Sequence, residues 1–182
     1  MRVMWVEIRR HSVRDKPERH LSEAGRALAR EVASTSPRFD RVVSSPVRRA
    51  VETAEAMGYP APEVDPLFES VGPAVEAFVP WPSPFREYRR LLWSREGAVV
   101  GKARQLATAL TTVATHLAAG GRALVVTHGG VPELATVALL PDDDAEAWGA
   151  PCRCLEGARI TFEEGNPASA EILRLDPRRT RI

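Results

Sequence analysis

The sequence predicts a layered α/β domain. Two strand-like runs, Val3-Met4-Trp5-Val6-Glu7-Ile8 and Ala123-Leu124-Val125-Val126-Thr127, are apolar enough to be buried. Strand-like and helical segments alternate between and after them. At 182 residues and 20.0 kDa the chain is long enough for a sizeable core but short for two, so residues 1–182 are expected to form a single domain.

After the first strand and a polar loop, Ser22 reads as the N-cap of a helix over 23–32. Pro37 closes that region, and Arg41-Val42-Val43-Ser44 forms a short second strand. Ser45-Pro46 reads as N-cap and first helical position, because proline lacks only a donor that the first turn leaves open. That helix passes Arg49, Ala50, Thr53 and Ala54 and stops at Gly58. Glu63-Val64-Asp65 is a further short strand. The stretch 70–97 is broken by Pro73, Pro80, Pro82 and Pro84 and anchored by Trp81, Phe85, Tyr88 and Trp93. That composition suits a short lid-like insertion over a site; a linker would lack the aromatics. A long helix over about 99–119 carries Leu106, Leu110, Val113 and Leu117 on one face. The strand to Thr127, a helix over about 132–140 and strands over 158–163 and 170–175 complete the domain.

Composition excludes several classes of partner. A net charge of +1 gives no case for a nucleic-acid or membrane-surface partner. No apolar run reaches the length of a membrane span, and Met1-Arg2-Val3 begins strand-like sequence rather than a signal peptide. Cys152 and Cys154 make no disulfide framework and half a structural zinc site. On a strand they would share one face without bridging geometry, and they read as reduced thiols of a cytoplasmic protein. Lys16 and Lys102 are the only lysines, so positive charge is almost all arginine, whose planar fork suits phosphate and carboxylate oxygens.

The chemistry-bearing residues lie at strand ends. Arg10-His11 follows the first strand, and His128 follows the strand ending at Thr127 and leads into Gly129-Gly130. Ligand sites of open α/β sheets gather beyond such carboxyl ends. A phosphoryl group in transfer needs cationic donors around its oxygens and a nucleophile in line. A neutral imidazole is such a nucleophile, and Arg10 and Arg49 would disfavour its protonation. Two arginines on separate elements can grip different oxygens of one phosphate. Gly129-Gly130 allows close backbone approach, and the following helix is expected to offer free N–H groups to an anion. Glu69, in a loop before the insertion, can give a proton to a leaving oxygen.

Four segments in order carry a resemblance. They are Ile8-Arg9-Arg10-His11-Ser12, Leu21-Ser22-Glu23-Ala24-Gly25, Val43-Ser44-Ser45-Pro46-Val47-Arg48-Arg49-Ala50-Val51-Glu52-Thr53-Ala54, and Val125-Val126-Thr127-His128-Gly129-Gly130-Val131. Together they resemble the histidine phosphatase superfamily, which includes phosphoglycerate mutases and acid phosphatases. The resemblance implies a three-layer α/β/α sandwich of the phosphoglycerate mutase type, its sheet mainly parallel with an antiparallel strand allowed at the edge. It implies that His11 becomes phosphorylated, that Arg10, Arg49, His128 and Gly129 form the phosphate pocket, and that Glu69 is the proton donor. Arg48 is then the outward neighbour of Arg49. Ser12 stands where the family usually has glycine, Val13-Arg14-Asp15-Lys16 lacks the Glu-Ser-x-x-Asn pattern of the mutases, and the stretch around Gly72 lacks the usual Trp-Glu-Gly.

The expectation is a phosphomonoester hydrolase working through phosphohistidine, with no metal and no cofactor, on a phosphorylated small molecule or phosphoprotein. A phosphomutase and a non-catalytic phosphate-binding or interaction module are the alternatives. His20 and His116 read as structural or solvent-facing, with His116 inside the long helix. Arg14, Arg86, Arg89 and Arg90 read either as a solvated face or as contacts to a second anionic group, and Glu133 and Glu156 have no assigned role.

Overall fold

The computed structural model describes residues 1–15, 17 and 19–179. Its strands are β1 (Val3–Arg10), β2 (Arg41–Ser44), β3 (Glu63–Val64), β4 (Arg122–Thr127), β5 (Gly157–Glu163) and β6 (Asn166–Leu173). Its helices are α1 (Glu23–Thr35), α2 (Arg48–Ala56), α3 (Pro73–Glu76), α4 (Phe85–Trp93), α5 (Gly97–Thr115) and α6 (Val131–Leu139), with a 3-10 turn at Pro66–Phe68. The sheet order is β3-β2-β4-β1-β5-β6. Pairings from β3 to β1 are parallel, while β5 runs antiparallel to both β1 and β6. The expected mainly parallel sheet is present, with the antiparallel strands gathered on one side.

The layers follow from the period-2 alternation of strand side chains. Met4, Val6 and Ile8 of β1, Val43 of β2 and Ala123 and Val125 of β4 enter one core with α3 to α6. Val42, Leu124 and Val126 point the other way into a core with α1 and α2. Leu106, Leu110, Val113 and Leu117 are all buried, as their helical spacing requires. Phe85, Tyr88 and Leu91 of the 70–97 stretch belong to the first core, whereas Trp93 stays 59% exposed.

Several expected boundaries move for identifiable reasons. The second helix starts at Arg48, not at Pro46, with Val47 as its N-cap residue. The Ser45 hydroxyl is within 2.8 Å of His128 Nε2 while accepting from the Val47 N–H, so it serves a strand end rather than the helix. Ser22, by contrast, caps α1 through the Gly25 N–H at 2.9 Å. The last strand covers Asn166–Leu173 rather than 170–175, because Glu164 and Gly165 turn the chain with positive φ of 49° and 84° directly after β5. His116 falls one residue past α5 and is exposed. Cys152 and Cys154 lie in the irregular segment before β5, not on a strand, and both are buried. Lys16 lies outside the described residues. No helix among the described residues is long and apolar enough to cross a membrane.

Candidate active site

The register of the central strands places the two histidines together. Arg10 of β1 is paired with Thr127 of β4, so His11 and His128 are the next residues beyond two adjacent parallel strands. The His11 N–H donates to Thr127 O at 2.8 Å, and the imidazole centroids are 5.0 Å apart. Both residues are buried, at 5% and 6% exposure.

Arg49 reaches them from the first turn of α2. Its Nε donates to His11 Nε2 at 2.9 Å, and its Nη2 lies 3.1 Å from His128 Nδ1. A guanidinium only donates, so both imidazole nitrogens facing it must carry lone pairs. The remaining nitrogens then hold the protons: His11 Nδ1–H donates to Ser12 O at 2.7 Å, and His128 Nε2–H to the Ser45 hydroxyl at 2.8 Å. These tautomers are assigned from the network.

Electrostatics agree with two neutral rings. Burial, then His128, Arg10 and Arg49, push His11 down to about 2, against the opposing Ser12 carbonyl. Burial, then Arg49, Arg10 and Arg14, push His128 down to about 3. The sign follows. Above about pH 6.5 neither the folded nor the unfolded chain protonates these rings. Below it the unfolded chain takes up protons that the folded site refuses, so stability falls with pH. The slope approaches ~1.4 kcal/mol per pH unit and histidine. In buffer free of phosphate and sulfate, wild-type protein should therefore lose thermal midpoint between pH 7 and 5 faster than His11→Ala. Parallel curves would contradict neutral burial of His11.

The loop after His11 is clamped by the motif segments. Ser12 Oγ donates to Gly25 O at 2.7 Å, a bond to α1 that a glycine could not make, and its backbone N–H donates to Thr53 Oγ1 of α2 at 3.0 Å. A Cβ on Gly25 would stand 2.0 Å from Val13 O, which is why α1 needs glycine there. Buried Glu52 accepts from the Leu21 N–H at 2.7 Å and contacts His20, Arg26 and Arg48, anchoring α2 and with it Arg49.

Arg10 Nη1 donates to Cys152 O at 3.3 Å, its Nε has no partner among the described residues, and its guanidinium lies 4.9 Å from the Trp81 ring centroid. Trp81 also lies against Gly129, where a Cβ would meet the ring at 2.5 Å. The close approach at Gly129 is thus to the 70–97 stretch. The N–H of Gly130, the residue before α6, is taken by Glu133, whose Oε2 accepts it at 2.9 Å. Glu133 is fully buried, and burial lifts its carboxyl to about 7 against the opposing N–H bonds.

These groups line a cavity of about 730 Å³, shared by Arg10, His11, Arg49, Glu69, His128 and Gly129. All six residues expected from sequence meet there, with Glu69 exposed at the cavity wall. Arg14 lines it too, whereas Arg86 and Arg90 pair with Glu146 and Glu87. Arg89 donates to Asp143 O and lies over Trp93. Sequence reasoning missed Asp15, Glu76 and Cys154 as cavity residues, and Ser45 and Glu133 as supports of its wall. Glu156, also without an assigned role, accepts from Arg174 and from the Leu175 and Arg153 N–H groups beside β5.

The sheet thus ends in two imidazoles bridged by one guanidinium, at the carboxyl ends of adjacent parallel strands. The chain belongs to the histidine phosphatase superfamily (branch 1), whose model matches residues 4–173. Solved structures share the fold at low identity. Phosphoglycerate mutase from Bacillus anthracis is 16% identical with a TM-score of 0.63, over 94% of this chain and 93% of that one. Phosphoserine phosphatase from Entamoeba histolytica, in complex with 3-phosphoglyceric acid, is 18% identical with a TM-score of 0.63, over 94% and 98%. A mycobacterial glucosyl-3-phosphoglycerate phosphatase is 19% identical with a TM-score of 0.60, over 94% and 97%. No curated protein matches the chain.

Proposed function

We propose that the protein hydrolyses phosphomonoesters through a phosphohistidine on Nε2 of His11. The observation that carries this reading is the pair of hydrogen bonds His11 makes, from which its tautomer is assigned. Its proton is bound on Nδ1 by Ser12 O, which leaves the Nε2 lone pair facing Arg49 beside His128. A bound phosphate takes over the Arg49 donors and Arg10 holds another of its oxygens, while His128 takes up a proton on the Nδ1 that Arg49 vacates and donates it to a third. Nε2 attacks phosphorus as the ester bond breaks, and the Ser12 carbonyl stabilises the positive charge that grows on the ring. Glu69, on the wall of the same cavity, protonates the leaving oxygen. Water then cleaves the N–P bond, with Glu69 taking the proton back. Guanidinium and imidazole groups supply the charge stabilisation in this scheme, so no metal is required. A cavity of about 730 Å³ supports a small phosphorylated molecule as substrate.

The test is hydrolysis of para-nitrophenyl phosphate with and without chelator, coupled to an alkaline quench that traps label from ³²P-phosphate ester. Turnover should survive chelator, release inorganic phosphate and leave label on His11. Loss of activity with chelator, or label that persists in His11→Ala, would overturn the mechanism.

A further inference from the structure

We propose that Glu133 is the positioning residue of this phosphate pocket, clasping the turn after His128 to the segment whose Cys152 carbonyl holds Arg10; the role rests on the phosphatase reading above. Glu133 stands at the third position of α6 and is fully buried. Oε2 accepts the Gly130 N–H at 2.9 Å, which fixes the turn after His128. Oε1 accepts the Cys152 N–H at 2.7 Å, and the carbonyl of Cys152 in turn accepts from Arg10 Nη1. One carboxylate therefore ties the turn after His128 to the Cys152 segment, 22 residues beyond Gly130, whose carbonyl in turn holds the Arg10 guanidinium at the end of β1.

Both clasped groups are backbone donors, so the clasp needs two acceptor oxygens. Glutamine keeps the shape but turns one arm into a donor facing an N–H, leaving a buried donor without an acceptor. Aspartate keeps both oxygens with a shorter reach. A displacement of about 1 Å at a phosphate contact is enough for losses near 10²-fold.

The experiment compares wild type, Glu133→Gln and Glu133→Asp by kcat on para-nitrophenyl phosphate and by calorimetric affinity for inorganic phosphate, with circular dichroism and thermal midpoint as controls. Glu133→Gln should remain folded at 25 °C, lose roughly 10- to 100-fold in kcat and bind phosphate more weakly, and Glu133→Asp should recover part of both. A folded Glu133→Gln within twofold of wild type in kcat and phosphate affinity overturns the proposal. If Glu133→Gln does not fold, the aspartate variant decides: phosphate affinity equal to wild type overturns positioning, and weaker affinity supports it. Wild type that binds phosphate but never turns over fails the phosphatase reading, while the affinity comparison still judges the clasp.

Discussion

Replacing His11 with alanine should stop turnover while leaving a folded protein that still binds phosphate. Loss of a covalent nucleophile costs on the order of 10⁴- to 10⁶-fold in kcat, because the residual groups can bind and polarise but cannot form the intermediate. Phosphate affinity should change far less, since Arg10 and Arg49 keep their donors and Arg49 no longer has to leave Nε2 to meet the anion. The fold should tolerate the change. The imidazole contributes one side-chain bond to backbone, to Ser12 O, worth about 1 kcal/mol. The backbone bond from His11 N–H to Thr127 O, which holds the strand end, stays. Single-turnover assays and calorimetry with inorganic phosphate separate these effects. Residual kcat within tenfold of wild type, or loss of phosphate binding in step with kcat, would remove His11 from the nucleophile's role.

The parts of the molecule legible in the sequence are those in which one local signal decides. Val42-Val43 and Leu124-Val125-Val126 are too apolar to lie anywhere but in central strands, and they do. Ser22 announces α1 because its cap bond is made within four residues. The histidines and arginines were legible because parallel strands deliver their C-terminal neighbours to one edge of the sheet. What stayed hidden depends on partners distant in sequence. Ser45 looks like a helix cap until His128, 83 residues on, takes its hydroxyl. Glu133 looks like a helix-start acid, and its second oxygen is committed to Cys152 by the fold. Trp81 was legible as an anchor, but its contacts with Arg10 and Gly129 follow from how the 70–97 stretch folds back. The β5–β6 turn at Glu164-Gly165 was a local signal that could have been read, since glycine with positive φ after an alternating strand marks a hairpin.

Arg49→Lys should cost about 10²- to 10³-fold in kcat/KM, the range seen when one preorganised donor to a developing oxyanion is removed. Charge is kept by the change; geometry is what goes. Nε and Nη2 are held in one plane and reach two imidazoles at once, at 2.9 and 3.1 Å, and a single ammonium cannot point at both. The same fork that parks on the histidines is the one that must swing onto two phosphate oxygens, so both binding and the chemical step should suffer. Arg48→Lys is the matched control, one residue away on the same helix turn. Its side chain is 59% exposed and pairs with Glu52 through Nε at 3.1 Å. Turnover should stay within about twofold of wild type, because Glu52 keeps its bonds to the Leu21 N–H and His20 that hold α2 in place. The two variants carry the same chemical change on adjacent residues, so steady-state kinetics on para-nitrophenyl phosphate reads position alone. Equal losses in the two would mean that α2 acts through its bulk charge, and the fork joining His11 to His128 would have no special part in catalysis.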